Sequence, residues 1–160
     1  MPRRPVVRPT ATATGLGLLA LLTACSATVP VTVAPYAADP VCASVVLATP
    51  DELADGLPRV DTDAQATTAW GTPGSAVVLR CGVEPPGPTT DSCRSVETPN
   101  GPSIDWVVVE DDGDWTFTTY GRVPAVEVVV PASVASTRST SYVDLLGPAV
   151  ALTDQQRRCL

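Results

Sequence analysis

Four cysteines, Cys42, Cys81, Cys93 and Cys159, follow a segment that reads as an export signal, and this pairing of features constrains the fold most. An even count in an exported chain predicts a disulfide framework, with three possible pairings for four cysteines. Any fold must therefore bring separated stretches of chain to within a few ångströms of each other. No Cys-x-x-Cys pair occurs, so the spacing does not suit a zinc site, and no metal is expected.

The export reading rests on residues 1–24. Arg3, Arg4 and Arg8 give a positive start without an acid, and residues 15–22 (GLGLLALL) form a short apolar run. That run is far below the ~20 apolar residues of a spanning helix. The Arg3-Arg4 pair lacks the Ser and Phe flanks usual in a twin-arginine signal. Leu22-Thr23-Ala24-Cys25 resembles the bacterial lipobox, in which the Cys25 thiol would receive diacylglycerol and become the mature N terminus. Two acyl chains suffice for stable anchoring, at roughly 0.8 kcal/mol per buried methylene. The expected address is the extracytoplasmic face of the cell membrane.

All ten basic residues are arginines, three of them in the signal; the rest of the chain carries seven arginines against seventeen acids, a charge of −10. Such a domain is repelled by nucleic acid and by anionic lipid. Residues 25–38 comprise the lipidated cysteine and a Pro/Thr/Val-rich stretch that reads as an extended tether, reaching roughly 40 Å at ~3.1 Å per residue. Its valines could alternatively form an edge strand. Residues 39–160 then make one domain with a single core.

Asp39-Pro40 is a helix start, with Cys42, Val45, Val46 and Leu53 near one face and Gly56-Leu57-Pro58 as the stop. Thr49-Pro50-Asp51-Glu52 predicts a break and recap within it. Strands are expected over 76–83, 104–110, 115–120 and 125–131, with Val77, Leu79, Cys81 and Val83 on one side of the first and Arg80 opposite. Asp112-Gly113 predicts a two-residue hairpin in which Val108 faces Phe117, Trp106 faces Thr119 and Glu110 faces Trp115. Residues 140–152 read as a second helix broken at Gly147-Pro148. The expected fold is α+β: a small antiparallel sheet with N- and C-terminal helices packed on one face. In that arrangement Cys81 on the core side of a strand faces Cys42 on the covering helix. This favours Cys42–Cys81 with Cys93–Cys159, and the rival is Cys81–Cys93 with Cys42–Cys159.

The residue types exclude much chemistry. Without histidine or lysine there is no Ser-His-Asp triad, no Cys-His pair, no Schiff base and no His-ligated metal. No phosphate-cradling Gly-rich loop with lysine and no Gly-x-Ser-x-Gly elbow is present. Carboxylate chemistry remains open. Glu110-Asp111-Asp112-Gly113-Asp114 lacks the alternating acids of a calcium loop and reads as a solvated turn. Trp70, Trp106 and Trp115 offer a glycan-stacking platform as one reading and core packing as the other.

At these same stretches the chain resembles a family of exported actinobacterial proteins, many of them lipoproteins, that share a domain of unknown function (family 3515). The matching residues run from Ala38-Asp39-Pro40-Val41-Cys42-Ala43 through Arg80-Cys81-Gly82 and Thr119-Tyr120-Gly121-Arg122 to Ala125-Val126-Glu127-Val128-Val129-Val130-Pro131. The resemblance implies an envelope location and no mechanism. It also implies that Cys42 and Cys81 belong to the common core, with Cys93 and Cys159 an optional second pair. The expectation is a non-catalytic binding or accessory lipoprotein without a cofactor, whose partner is an envelope protein or cell-wall component. Arg80 and Arg122, set among apolar strands, are the candidate binding surface, unless each simply pairs with a neighbouring acid. A carboxylate-dependent wall hydrolase and a small-solute receptor are the alternatives.

Overall fold

The computed structural model describes Met1 and residues 27–54, 56–99, 101–137 and 140–160. Helix α1 spans Pro40–Ala48, capped by the Asp39 carboxylate, which accepts the Val41 N–H at 2.9 Å. Pro40 sits in the first turn, where no N–H is required. Pro50 holds Thr49 extended, at ψ 146°, and ends the helix there. The second helical piece expected after this break does not form. Between Pro50 and the Gly56 turn there is too little chain for a costly new helix nucleus. Instead Leu53 N–H reaches Leu57 O at 3.0 Å and Leu57 N–H reaches Ala54 O at 2.8 Å, closing a loop that buries both leucines.

Nine strands follow: β1 (Arg59–Val60), β2 (Thr67–Thr72), β3 (Ser75–Val83), β4 (Ser92–Val96), β5 (Ile104–Asp111), β6 (Asp114–Thr119), β7 (Arg122–Val123), β8 (Ala125–Val130) and β9 (Asp154–Gln155). Seven form one antiparallel sheet in the order β1-β2-β3-β8-β6-β5-β4, and β7 pairs with β9 separately. The β5–β6 hairpin has the expected register, with Val108 opposite Phe117, Trp106 opposite Thr119 and Glu110 opposite Trp115. Its turn residues Asp112 and Gly113 both take positive φ, 49° and 87°, the geometry that an Asp-Gly turn favours. Strands β2 and β4 carry no alternating pattern that would announce them. The first is buried along nearly its whole length and the second is an exposed polar edge.

Helix α2 (Ala132–Ala135), a 3₁₀ segment (Thr140–Leu146) and helix α3 (Gly147–Val150) complete the chain, the last two being the broken C-terminal helix. One core cluster joins Trp70, Val77, Leu79, Trp106, Phe117 and Val128 of the sheet to Val45, Val134, Leu146 and Val150 of the helical layer. The fold is thus α+β, with the helices covering one face of the sheet. Burying each large apolar side chain of this kind contributes roughly 1.5–3 kcal/mol.

Both disulfides form in the favoured pairing. Cys42–Cys81 ties α1 to the centre of the sheet, with both residues fully buried and Cα atoms 5.4 Å apart. Cys93–Cys159 ties edge strand β4 to the C terminus, with Cα atoms 5.9 Å apart.

The stretch read as a free tether behaves differently from Val29 onward. It is extended, yet laid against the domain as a strap. Val29 N–H bonds Asp61 O at 2.8 Å and pairs with Thr62, so the edge-strand alternative holds at that one residue. Val31 N–H bonds Asp63 Oδ1 at 2.7 Å, and Tyr36 N–H bonds Gly82 O at 2.8 Å. Backbone groups that a spacer would leave to water thus find partners on the sheet. Gly82 makes this approach possible. It has φ +90°, and a Cβ there would lie 2.4 Å from the Tyr36 carbonyl carbon. The same glycine marks a register shift in β3 between Cys81, opposite Val126, and Val83, opposite Ala125. Val83 consequently leaves the face of Cys81, where alternation places it, and packs with Ala34, Ala37 and Ala125 under the strap.

Two variants test these connections. Cys42→Ser is expected to lower stability by about 2–5 kcal/mol in chemical denaturation; unchanged stability would show that the buried bridge is not structural. Gly82→Ala is expected to cost about 1–3 kcal/mol through backbone strain alone. It should also release residues 29–38 to limited proteolysis, and equal resistance would refute the docked strap.

Candidate functional site

The two arginines proposed as a binding surface are not free surface groups. Arg80 stands directly across from Glu127 on β8, and its Nε and Nη2 both donate to Glu127 Oε1, at 2.9 and 2.6 Å. Its Nη1 donates to Thr32 O at 3.2 Å, so this side chain fastens the strap to the sheet. The register made Glu127 its partner, as the simpler reading of Arg80 required. Arg122, in β7, is 3% exposed, because β9 and the C-terminal tail cover it. Its Nη1 donates to Thr153 O at 2.6 Å, while its Nε has no acceptor among the described residues. Burial lowers the Arg122 pKa from its ordinary value, the Asp105 carboxylate opposes this, and Arg158 adds to the lowering. Cys25, the expected lipidation site, lies outside the described residues.

The tryptophans do not form a platform. Trp70 and Trp106 are fully buried, and Trp70 Nε1 donates to Pro50 O at 2.8 Å. Trp106 meets Phe117 edge-on at 6.3 Å and half-buried Trp115 stacks on the same ring at 6.3 Å. Packing is their role. Among the described residues no cluster of three or more His, Cys, Asp or Glu is arranged to hold a metal ion.

Concave surface is found instead where the strap, β3, β7 and the tail converge. A hollow of about 390 Å³ lies between the strap and α1, lined by Ala37, Asp39, Val46, Leu47 and Gln65. Asp39 also borders a second hollow of about 290 Å³, lined by Tyr36, Val83, Glu84, Pro85, Val123 and Pro124. Pro85 and Val123 in turn border a third, of about 180 Å³, which Pro86, Arg122, Gln156 and Arg157 complete. Shared walls, Asp39 between the first two and Pro85 with Val123 between the last two, set the three hollows side by side as a segmented groove. Its middle hollow sets Asp39, Glu84 and Tyr36 against apolar Val83, Pro85, Val123 and Pro124, and its far end carries Arg122 and Arg157. Leu47, Tyr36 and Val123 are exposed along it at 82%, 50% and 42%, so apolar surface is offered to solvent there.

Local sequence sets each end. Asp39 is at the groove because it caps α1 immediately after the strap. Tyr36 is held by its N–H bond to Gly82, and its hydroxyl donates to Glu84 Oε2 at 2.9 Å. That hydrogen bond, then the Glu84 charge, raises the Tyr36 pKa above its ordinary 10.0. The pair orients a phenol and a carboxylate; it does not activate a nucleophile. Arg122 reaches the opposite end because Gly121, at φ +66°, lets the Arg157 backbone approach to where a Cβ would collide. Of these residues only Arg122 was picked out as a binding candidate from the sequence. Tyr36 comes from the stretch that reads as a tether, and Glu84, Val123 and Pro124 fall between the expected strands, where no pattern marks a site.

The Tyr36–Glu84 pair has a testable sign. With its folded pKa raised, the protonated phenol adds stability below the ordinary value near 10, and this is lost as pH rises through the folded pKa. Glu84→Gln is therefore expected to shift one tyrosine's ionisation down toward 10.0 in a phenolate absorbance titration; an unmoved curve would remove the interaction.

A family model described as "Protein of unknown function (DUF3515)" matches residues 6–157. Neither a curated protein nor a solved structure matches the chain. The match spans nearly the whole sequence, including Cys42, Cys81 and Cys93 but ending before Cys159, and the chain belongs to the DUF3515 family.

Proposed function

We propose that this protein is a lipid-anchored binding lipoprotein on the extracytoplasmic side of the membrane, and that the groove is its recognition surface. The groove itself carries the reading: a row of hollows walled partly by prolines and valines, with acidic groups at its middle and basic groups at one end, suits an extended partner segment. The anchor rests on the lipobox at Cys25 and the export signal before it. The lack of histidine and lysine supports recognition over catalysis.

Because the strap docks from Val29, the anchor would hold the domain close. Val29 follows Cys25 by four positions, at most about 14 Å of extended chain. The groove at Tyr36 would then face partners near the bilayer, such as a membrane complex of the envelope or newly made wall polymer. A hydrolase is the second reading, and one observation favours it: Asp39 and Glu84 border the same hollow. Against it, Asp39 is committed to capping α1 and Glu84 to the Tyr36 hydroxyl.

Crosslinking on intact cells, followed by extraction and mass spectrometry, tests the proposal. The expected result is a diacylated peptide beginning at Cys25, with groove residues linked to a membrane-protein peptide. A muropeptide in the groove would shift the partner to wall polymer and favour the hydrolase. Cys25→Ser should leave the precursor unprocessed or release the protein, and unchanged, processed membrane retention would defeat the anchor.

A further inference from the structure

Buried charges in proteins are normally paired, since the desolvation of an isolated ion costs several kcal/mol. Arg122 departs from this rule. It is 3% exposed, and no described carboxylate forms an ion pair with it. Asp105 is the nearest acidic influence, but its Oδ2 accepts the Cys159 N–H at 2.9 Å. The one side-chain hydrogen bond that Arg122 makes among the described residues, Nη1 to Thr153 O, uses the far side of the guanidinium. The Nε–Nη2 edge is left without a protein acceptor among the described residues.

That edge presents two parallel N–H groups, the fork that pairs with the two oxygens of a planar carboxylate. The residue lines the third hollow, whose volume of about 180 Å³ admits a carboxylate with a short length of chain. Exposed Arg157 and Gln156 stand at its rim, adding a second positive charge and an amide donor. Pro85, Pro86 and Val123 supply apolar walls that suit a peptide backbone better than a hydrated phosphate.

The rim is also preorganised. Gln156 N–H and Arg157 N–H both bond Gly121 O, at 2.6 and 3.2 Å, and Cys159 is locked to Cys93 two residues on. Little ordering would remain to be done on binding. Set against a domain that is acidic as a whole, this end of the groove selects for negative charge locally.

We infer that the hollow beside Arg122 is a carboxylate-binding subsite, in which the Arg122 Nε–Nη2 edge and Arg157 receive an acidic side chain or free C terminus of an extended peptide segment. The inference rests on the groove being a recognition surface and names the chemistry it recognises. Nε itself is sealed from solvent, so the entering carboxylate reaches it only once a covering group shifts.

The test uses the full chain, purified in detergent and immobilised. It is offered two random tetrapeptide pools, one with free C termini, Asp and Glu, the other with amidated C termini, Asn and Gln. Retention of the acidic pool is expected to exceed that of the amide pool by about tenfold, the value of one charge-assisted bidentate contact. Arg157→Gln, at an exposed position, should remove much of that preference without lowering the melting temperature. Arg122→Lys, which keeps the charge and loses the fork, should remove it while the fold is confirmed by circular dichroism. Equal retention of the pools, or a preference that survives both variants, would overturn the subsite. So would displacement of the acidic pool by inorganic phosphate at least as well as by acetate. If neither pool is retained while crosslinking still finds a partner in the groove, the subsite fails and the binding reading stands.

Discussion

The Cys42–Cys81 bridge fixes the first helix to β3, an interior strand of the large sheet, and most of the architecture is arranged around it. Helix α1 is short, nine residues, and an isolated helix of that length is marginal in water. Its Asp39 cap and Pro40 start help, but the covalent tie and the packing of Val45 hold it in place. Once α1 is seated, the strap that precedes it must run along the sheet, and the capping residue marks the start of the groove. A single buried crosslink thereby sets both the core layer and the position of the concave surface.

The two faces of the sheet are stabilised by different means. The helix side is apolar and closely packed, with valine, leucine and aromatic side chains interleaved. The other side carries the Arg80–Glu127 pair and the strap, so backbone hydrogen bonds and one partly buried ion pair dominate there. Exposed ion pairs contribute little, typically below about 1 kcal/mol. Arg80 gains more because it also accepts a role in holding Thr32, joining two segments far apart in sequence. At the far edge, the Cys93–Cys159 bridge performs the equivalent service for the tail. It brings Arg157 and the Arg122 cover into place.

The proposed function rests on what these two straps leave between them. The groove is the gap that the N-terminal strap and the C-terminal tail frame together with Pro85 and Pro124. Its prolines and valines give it shape, while Asp39 and Glu84 at its middle and Arg122 and Arg157 at one end give it charge. Such a surface suits recognition by shape and charge. Among the described residues, Arg122 is the buried charged side chain left with an unpartnered donor, which is why it is the part of the groove with assignable chemistry.

The amino-acid sequence alone determined those features that depend on local pattern. Alternation in residues 104–120 and the Asp-Gly turn set the β5–β6 register, since a slip by one residue would expose Trp106 and Phe117. The Asp39 cap, the Pro50 stop and the favoured disulfide pairing were likewise legible, because each follows from residues a few positions apart or from which face of an element a cysteine occupies. Tertiary structure decided what depends on contacts between remote segments. The strap reads as a spacer because its backbone partners, Asp61, Asp63 and Gly82, lie over 30 residues away. Strand β4 shows no signal, being polar and held by remote contacts, its pairing with β5 and the Cys93–Cys159 bridge. Val83 changed faces through a one-residue bulge at Gly82 that no alternation pattern announces. Arg80 and Arg122 drew notice as charges among apolar neighbours. Only the packed chain could separate them, giving one a partner across the strand and burying the other without an acidic partner beneath the tail.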